Sequence, residues 1–115
     1  MIDIASLITL CQTALSLGSK FIEVQRRKKL SDAERELLIA AAQQGTFHIL
    51  SVAEVSGTWV RARGKDFLDA SDPAFAARYL EGFRNLCERG YIVHESGVLF
   101  MLNDSGFKKA RELAA

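Results

Sequence analysis

Proline occurs once in this chain of 115 residues, and cysteine and histidine twice each. Each scarcity removes a class of structure or chemistry. A single proline among scattered glycines excludes long disordered linkers. Gly57, Gly64 and Gly82 stand alone, so there is no glycine-rich loop to cradle a phosphate. His48 and His94 each fall in a predicted strand, and neither has a cysteine, histidine or carboxylate at metal-ligand spacing. The paired carboxylates Glu34 and Glu36 sit at a helix start, where capping accounts for them. No nucleophile elbow is present. The expectation is a non-enzymatic protein without metal or cofactor.

Two cysteines cannot make a disulfide scaffold. Cys11 and Cys87 each lie on the apolar side of a predicted helix and read as buried, inert thiols in a reducing, cytoplasmic compartment. A bridge between the two helices is the alternative. Charge of one sign is lacking too: 15 basic against 14 acidic residues leave a formal charge of +1. Nucleic acid or an anionic membrane would have to be met by local clusters.

What is present is apolar patterning. Hydrophobic residues make up 49% of the chain, enough for one domain-sized core. The stretch 2–29 carries two rows at helical steps. One is Ile4, Ile8, Cys11, Leu15, Gly18 and Ile22; the other is Leu7, Leu10, Ala14, Leu17, Phe21 and Val24. The acidic start and the interrupting serines and threonines are wrong for a signal peptide or a membrane span. The stretch is expected to form one amphipathic helix, whose surplus apolar flank either folds back or meets a second copy. Self-association is the favoured reading, with Ile8, Cys11, Leu15, Phe21 and Ile22 as its candidates. The closing cations Arg26, Arg27, Lys28 and Lys29 complement the helix dipole, with phosphate contact as the alternative.

The second unit spans 31–115, after an N-terminal helical unit over 1–30. Ser31 and Glu34 have capping-box spacing before a helix over 31–44, stopped by Gly45, with Leu37, Leu38 and Ala41 inward. Residues 46–63 read as a β-hairpin turning near Ser56-Gly57, with Val55 opposite Thr58 and Ala53 opposite Val60. One face then holds Phe47, Ile49, Ala53, Val55, Val60 and Ala62; the other holds His48, Leu50, Val52, Trp59, Arg61 and Arg63. A connector with one helical turn near Phe67 and Leu68 follows. Asp72 and Pro73 open a helix over 73–89, closed by Gly90. A second hairpin over 91–102 turns at Ser96-Gly97, with Val93 opposite Phe100 and Ile92 opposite Met101. Asn103 caps a last helix over 104–113.

Helix, strand, helix, hairpin is the order of a winged helix. "LCERGYIVHESGVLFMLNDSGF" resembles the end of many such domains, where a glycine-stopped helix and a short hairpin lead to "Tyr-x-Leu-Thr-x-x-Gly". Phe100, Leu102, Asn103 and Gly106 hold those places, with phenylalanine and asparagine as departures. From about Asp32 to Leu113 the chain is similar to a module met at the C-terminal ends of assorted bacterial proteins. That resemblance implies an α+β, winged-helix-like domain of bacterial origin, with an extra β-hairpin, and no particular chemistry.

Two surfaces are candidates for recognition. Trp59, Arg61 and Arg63 alternate onto one side of a strand, extended by Lys65. They suit an acidic loop or stacked bases; the plainer account packs the indole inside and pairs the arginines with carboxylates. Arg26 to Lys29 form the second. The helix over 73–89 balances Arg78, Arg84 and Arg89 against Glu81 and Glu88, and the wing tip carries Glu95, which repels phosphate. The favoured reading is a protein-interaction module, dimeric through its first helix, with an unknown protein partner. The runner-up is a small DNA-binding regulator, and a third reading is a regulatory tail acting in trans.

Overall fold

The computed structural model describes residues 4–16, 19–51, 58–69 and 71–115. Among them are five helices and five strands: α1 (Ile4–Ser16), α2 (Ser19–Arg27), α3 (Asp32–Ala41), β1 (Thr46–Leu50), β2 (Trp59–Ala62), β3 (Lys65–Asp66), α4 (Pro73–Glu88), β4 (Ile92–Ser96), β5 (Leu99–Leu102) and α5 (Asp104–Ala114). The strands form one antiparallel sheet in the order β3-β2-β1-β5-β4, so the class is α+β.

Local chemistry sets the helix ends. Ser31 Oγ accepts from the Glu34 N–H, and a Glu34 carboxylate oxygen accepts from the Ser31 N–H, which is the reciprocal capping box. Asp72 caps α4 ahead of Pro73, and Asn103 caps α5. Gly45 and Gly90 follow α3 and α4 with φ of 73° and 70°, the left-handed region that glycine enters without penalty.

The sheet turns one face to the helices. Phe47, Ile49, Val60, Ala62, Ile92, Phe100 and Leu102 are buried there. Phe83 of α4 stands over the two central strands, edge-on to Phe47 and Phe100 with both ring centroids at 5.2 Å. That geometry lets aromatic edges meet aromatic faces. Thr46, His48, Leu50, Leu99 and Met101 are half-buried on the other face.

The stretch 2–29 is helical over Ile4–Ser16 and Ser19–Arg27, and Leu17 and Gly18 lie outside the described residues. The sequence expectations need three corrections. The first hairpin pairs Ile49 with Val60 and Leu50 with Trp59, so Val60 does not face Ala53. The shift is even, and even shifts keep every side chain on its face; Phe47, Ile49, Val60 and Ala62 therefore stay together. The Ser56-Gly57 turn and the positions 52, 53 and 55 lie outside the described residues.

Second, the connector holds β3 rather than a helical turn. Arg63 and Gly64 both have positive φ, 52° and 74°. Two such residues make the tight turn whose twist suits a hairpin, and β2 folds back so that Arg61 faces Asp66. Third, the second hairpin pairs Ile92 with Leu102 and Val93 with Met101, one residue from expectation, with a bulge between His94 and Ser96. The bulge absorbs the extra residue, and Gly97 takes the turn with φ 51°.

Candidate functional site

The N-terminal helices were expected to offer surplus apolar surface. On α1 the buried residues are Leu7, Cys11 and Ala14, a line that crosses both sequence rows. It packs on α4 and β4, and Leu7 and Cys11 join the same core as Leu37, Phe83 and Ile92. Part of the surplus has therefore folded back. Ile8 and Leu10 are half-buried and Leu15 is 40% exposed. The outer side of α1 holds a shallow cavity of about 450 Å³ lined by Ala5, Ser6, Thr9, Leu10 and Thr13. No residue from Ile4 to Ser16 is charged.

On α2, Phe21 and Ile22 are half-buried and Val24 is 51% exposed. Ile22 lies against Gly90, where a Cβ would meet its Cδ1 at 2.9 Å. Of the five self-association candidates, the structure thus places Leu15 outward, buries Cys11, and leaves Ile8, Phe21 and Ile22 between.

Arg89 holds α2 in place. Its Nη1 donates to the carbonyls of Gln25 and Lys28, both at 2.7 Å, and its Nη2 to that of Lys29 at 3.2 Å. Its Nε donates to Glu34 at 2.7 Å, with the two side chains 6% and 3% exposed. The carbonyls that end a helix lack partners of their own, and a fixed guanidinium satisfies several at once. Arg26 answers in the other direction, donating from Nε to the Arg89 carbonyl at 2.8 Å and from Nη2 to that of Gly90 at 3.2 Å, over the Tyr91 ring. Arg26 is thus bound into the fold. Arg27, Lys28 and Lys29 remain exposed; Arg27 reaches Glu23 at 4.0 Å in an open pair of little energetic weight.

Trp59, Arg61 and Asp66 form a cluster on the strand side. The indole Nε1 donates to Asp66 Oδ1 at 3.0 Å, and Arg61 grips both Asp66 oxygens at 2.7 and 3.2 Å. The Arg61 hydrogen bond, joined by that of Trp59, holds the Asp66 carboxyl below its ordinary value of 3.8. Trp59 is only 6% exposed, so it offers no open ring for stacking. Arg63 sits in the turn, exposed, and Lys65 lies over the Phe67 ring at 5.0 Å. The structure brings Trp59 and Arg61 together but leaves Arg63 and Lys65 apart from them.

On α4, Arg84 bridges Glu81 at 3.1 Å and Glu88 at 2.9 Å. His94 Nε2 sits 3.0 Å from the Gly97 carbonyl, with its ring against Phe100. Tyr79 donates to Glu36; burial first, and that carboxylate second, push its hydroxyl up to about 12. Among the described residues no three His, Cys, Asp or Glu side chains are placed to hold a metal, and no helix is long and apolar enough to cross a membrane.

Sequence reasoning missed Asp66, and it missed the inward role of Arg89. The Arg63-Gly64 turn could have signalled the first, since it sets Arg61 opposite Asp66. Nothing local marks the second. The chain matches no protein-family model, no curated protein and no solved structure.

Proposed function

We propose that this chain is a non-catalytic, winged-helix-like interaction module that pairs with a second copy of itself through the outer side of α1. The order α3, β1, α4, β4, β5 supports the winged-helix reading, with β1 hydrogen-bonded to the second strand of the wing and the β2–β3 hairpin inserted before α4. The self-association reading is carried by one observation: α1 is uncharged throughout and buries only a single line of residues. Two such surfaces can meet without stripping water from any charge, a step that is costly unless the charge is paired. The small and hydroxyl side chains Ala5, Ser6, Thr9 and Thr13 let a second helix come close, and Leu15 supplies apolar area at the end of the contact.

A small DNA-binding regulator is the second reading, supported by the exposed cations Arg27, Lys28 and Lys29. It is weakened where docking would concentrate. Arg84 is engaged by two glutamates, and Glu95 occupies the wing.

Light scattering tests the leading reading. The wild type should run at twice the 12.7 kDa chain mass, and Leu15→Glu should run as a monomer with its circular dichroism unchanged. A monomeric wild type ends the proposal.

A further inference from the structure

The two cysteines of this chain, 76 residues apart in sequence, meet in the core. Cys11 Sγ and Cys87 Sγ are 3.1 Å apart, with Cys11 on the inner line of α1 and Cys87 on the inner face of α4. Both are free thiols and both are buried. Leu7 and Ala14 share the buried line of α1 with Cys11, and Phe83 and Leu86 are buried with Cys87 on α4, where the charges of Glu88 and Arg84 also act on the Cys87 thiol. With no third metal-binding side chain grouped with them among the described residues, the chemistry open to the pair is that of sulfur with sulfur.

We propose that Cys11 and Cys87 are a covalent modification site: a peroxide converts them to a reversible disulfide that fastens α1 to α4. A disulfide bond is about 2.05 Å long, so the sulfurs need approach by only about 1 Å, within reach of side-chain torsions. The step balances. One thiol, deprotonated, attacks the peroxide O–O bond and becomes a sulfenic acid as water leaves. The second sulfur then displaces the sulfenyl oxygen; the S–S bond forms, the S–O bond breaks, and a second water departs. Two thiols are oxidised by two electrons and one hydrogen peroxide is reduced. A dithiol reverses the bond by exchange.

Burial sets the timing. It pushes the Cys87 thiol up, so the closed protein presents little thiolate there. Reaction therefore proceeds when α1 lifts from α4. Once formed, the bond ends that lifting. The site goes beyond the self-association reading and does not depend on it, because both sulfurs belong to one chain.

The experiment uses the full reduced chain, diluted until light scattering shows a monomer, and treated with hydrogen peroxide. The expected product is a monomer lighter by two hydrogens, with no alkylatable thiol after denaturation. Its peptide map joins Cys11 to Cys87. Its thermal midpoint rises by at least about 10 °C, because the bridge closes a long loop, and dithiothreitol returns both mass and midpoint. Cys11→Ala and Cys87→Ala should each show no peroxide-dependent rise. Thiols still free after peroxide, cysteines carried on to sulfinic acid without a bridge, or a covalent dimer through like cysteines would each overturn the proposal. Because the wild type carries the decisive readouts, a variant that fails to fold leaves the test intact.

Discussion

Arg89, the C-cap of α4, donates to Glu34 of α3 at 2.7 Å, with both side chains inside the protein and the same guanidinium closing the carbonyl end of α2. One residue thus ties three helices. Removing one partner of a buried pair strands the other charge, typically at a cost of about 3–5 kcal/mol. Arg89→Met should therefore lower unfolding stability by about that much in a urea titration, and amide exchange in α2 should rise ahead of the rest. Arg89→Met with Glu34→Met should cost less than the two single changes added together, because no charge is left unpaired. Additive losses would show that the pair is not coupled.

Asp66 gives a pH dependence. Its carboxyl is held low by Arg61. A depressed carboxyl contributes stability that is fully present above its ordinary value of 3.8 and is lost as pH falls through the lower folded value. The contribution is small, since Arg61 and Asp66 are 43% and 40% exposed. Trp59 is the only tryptophan and donates to Asp66, so its fluorescence reports the site. The emission should change on acidification below pH 3.8, in a step that Asp66→Asn removes. A wild-type acid step retained in Asp66→Asn would assign the change to another group.

How much of this was legible in the sequence follows from how local each signal is. Ser31 with Glu34, Asp72 with Pro73, Gly45, Gly90 and Asn103 satisfy backbone groups a few positions away, so their spacing alone located the helix ends. The faces of β1 and β2 were legible too, because alternation survives an even shift, whereas the one-residue shift of the second hairpin regrouped its faces. Register was not: Ile49 finds Val60 through packing under α4, which no turn residue dictates. Arg26 and Arg89 look like solvated helix cations as text, and only tertiary contact turns both inward. The helical character of the N-terminal stretch was legible in its two apolar rows. For the candidate site, the rows identified α1 as a surface of interest. They could not say that the fold would use Leu7, Cys11 and Ala14 for itself.

The charges predict weak affinity for DNA. Arg26 is bound to carbonyls and Arg84 to glutamates, which leaves few cations free on the surfaces a duplex would meet. A random duplex titrated at physiological salt should bind no more tightly than about 0.1 mM, the weak end of non-specific binding. Micromolar affinity that falls steeply with added salt would favour the regulator reading instead.

Contact between two copies of α1 can be read directly by placing a photo-crosslinking residue at Thr13, on the outer side of that helix, and a control at Lys108, on the exposed side of α5. Packed helices lie about 8–10 Å apart, well within the reach of such a probe. Illumination of the Thr13 protein should give a covalent dimer whose joined peptides both come from residues 4–16, with little product from Lys108. A chain that stays uncrosslinked at Thr13, or that links equally from both positions, would contradict the account.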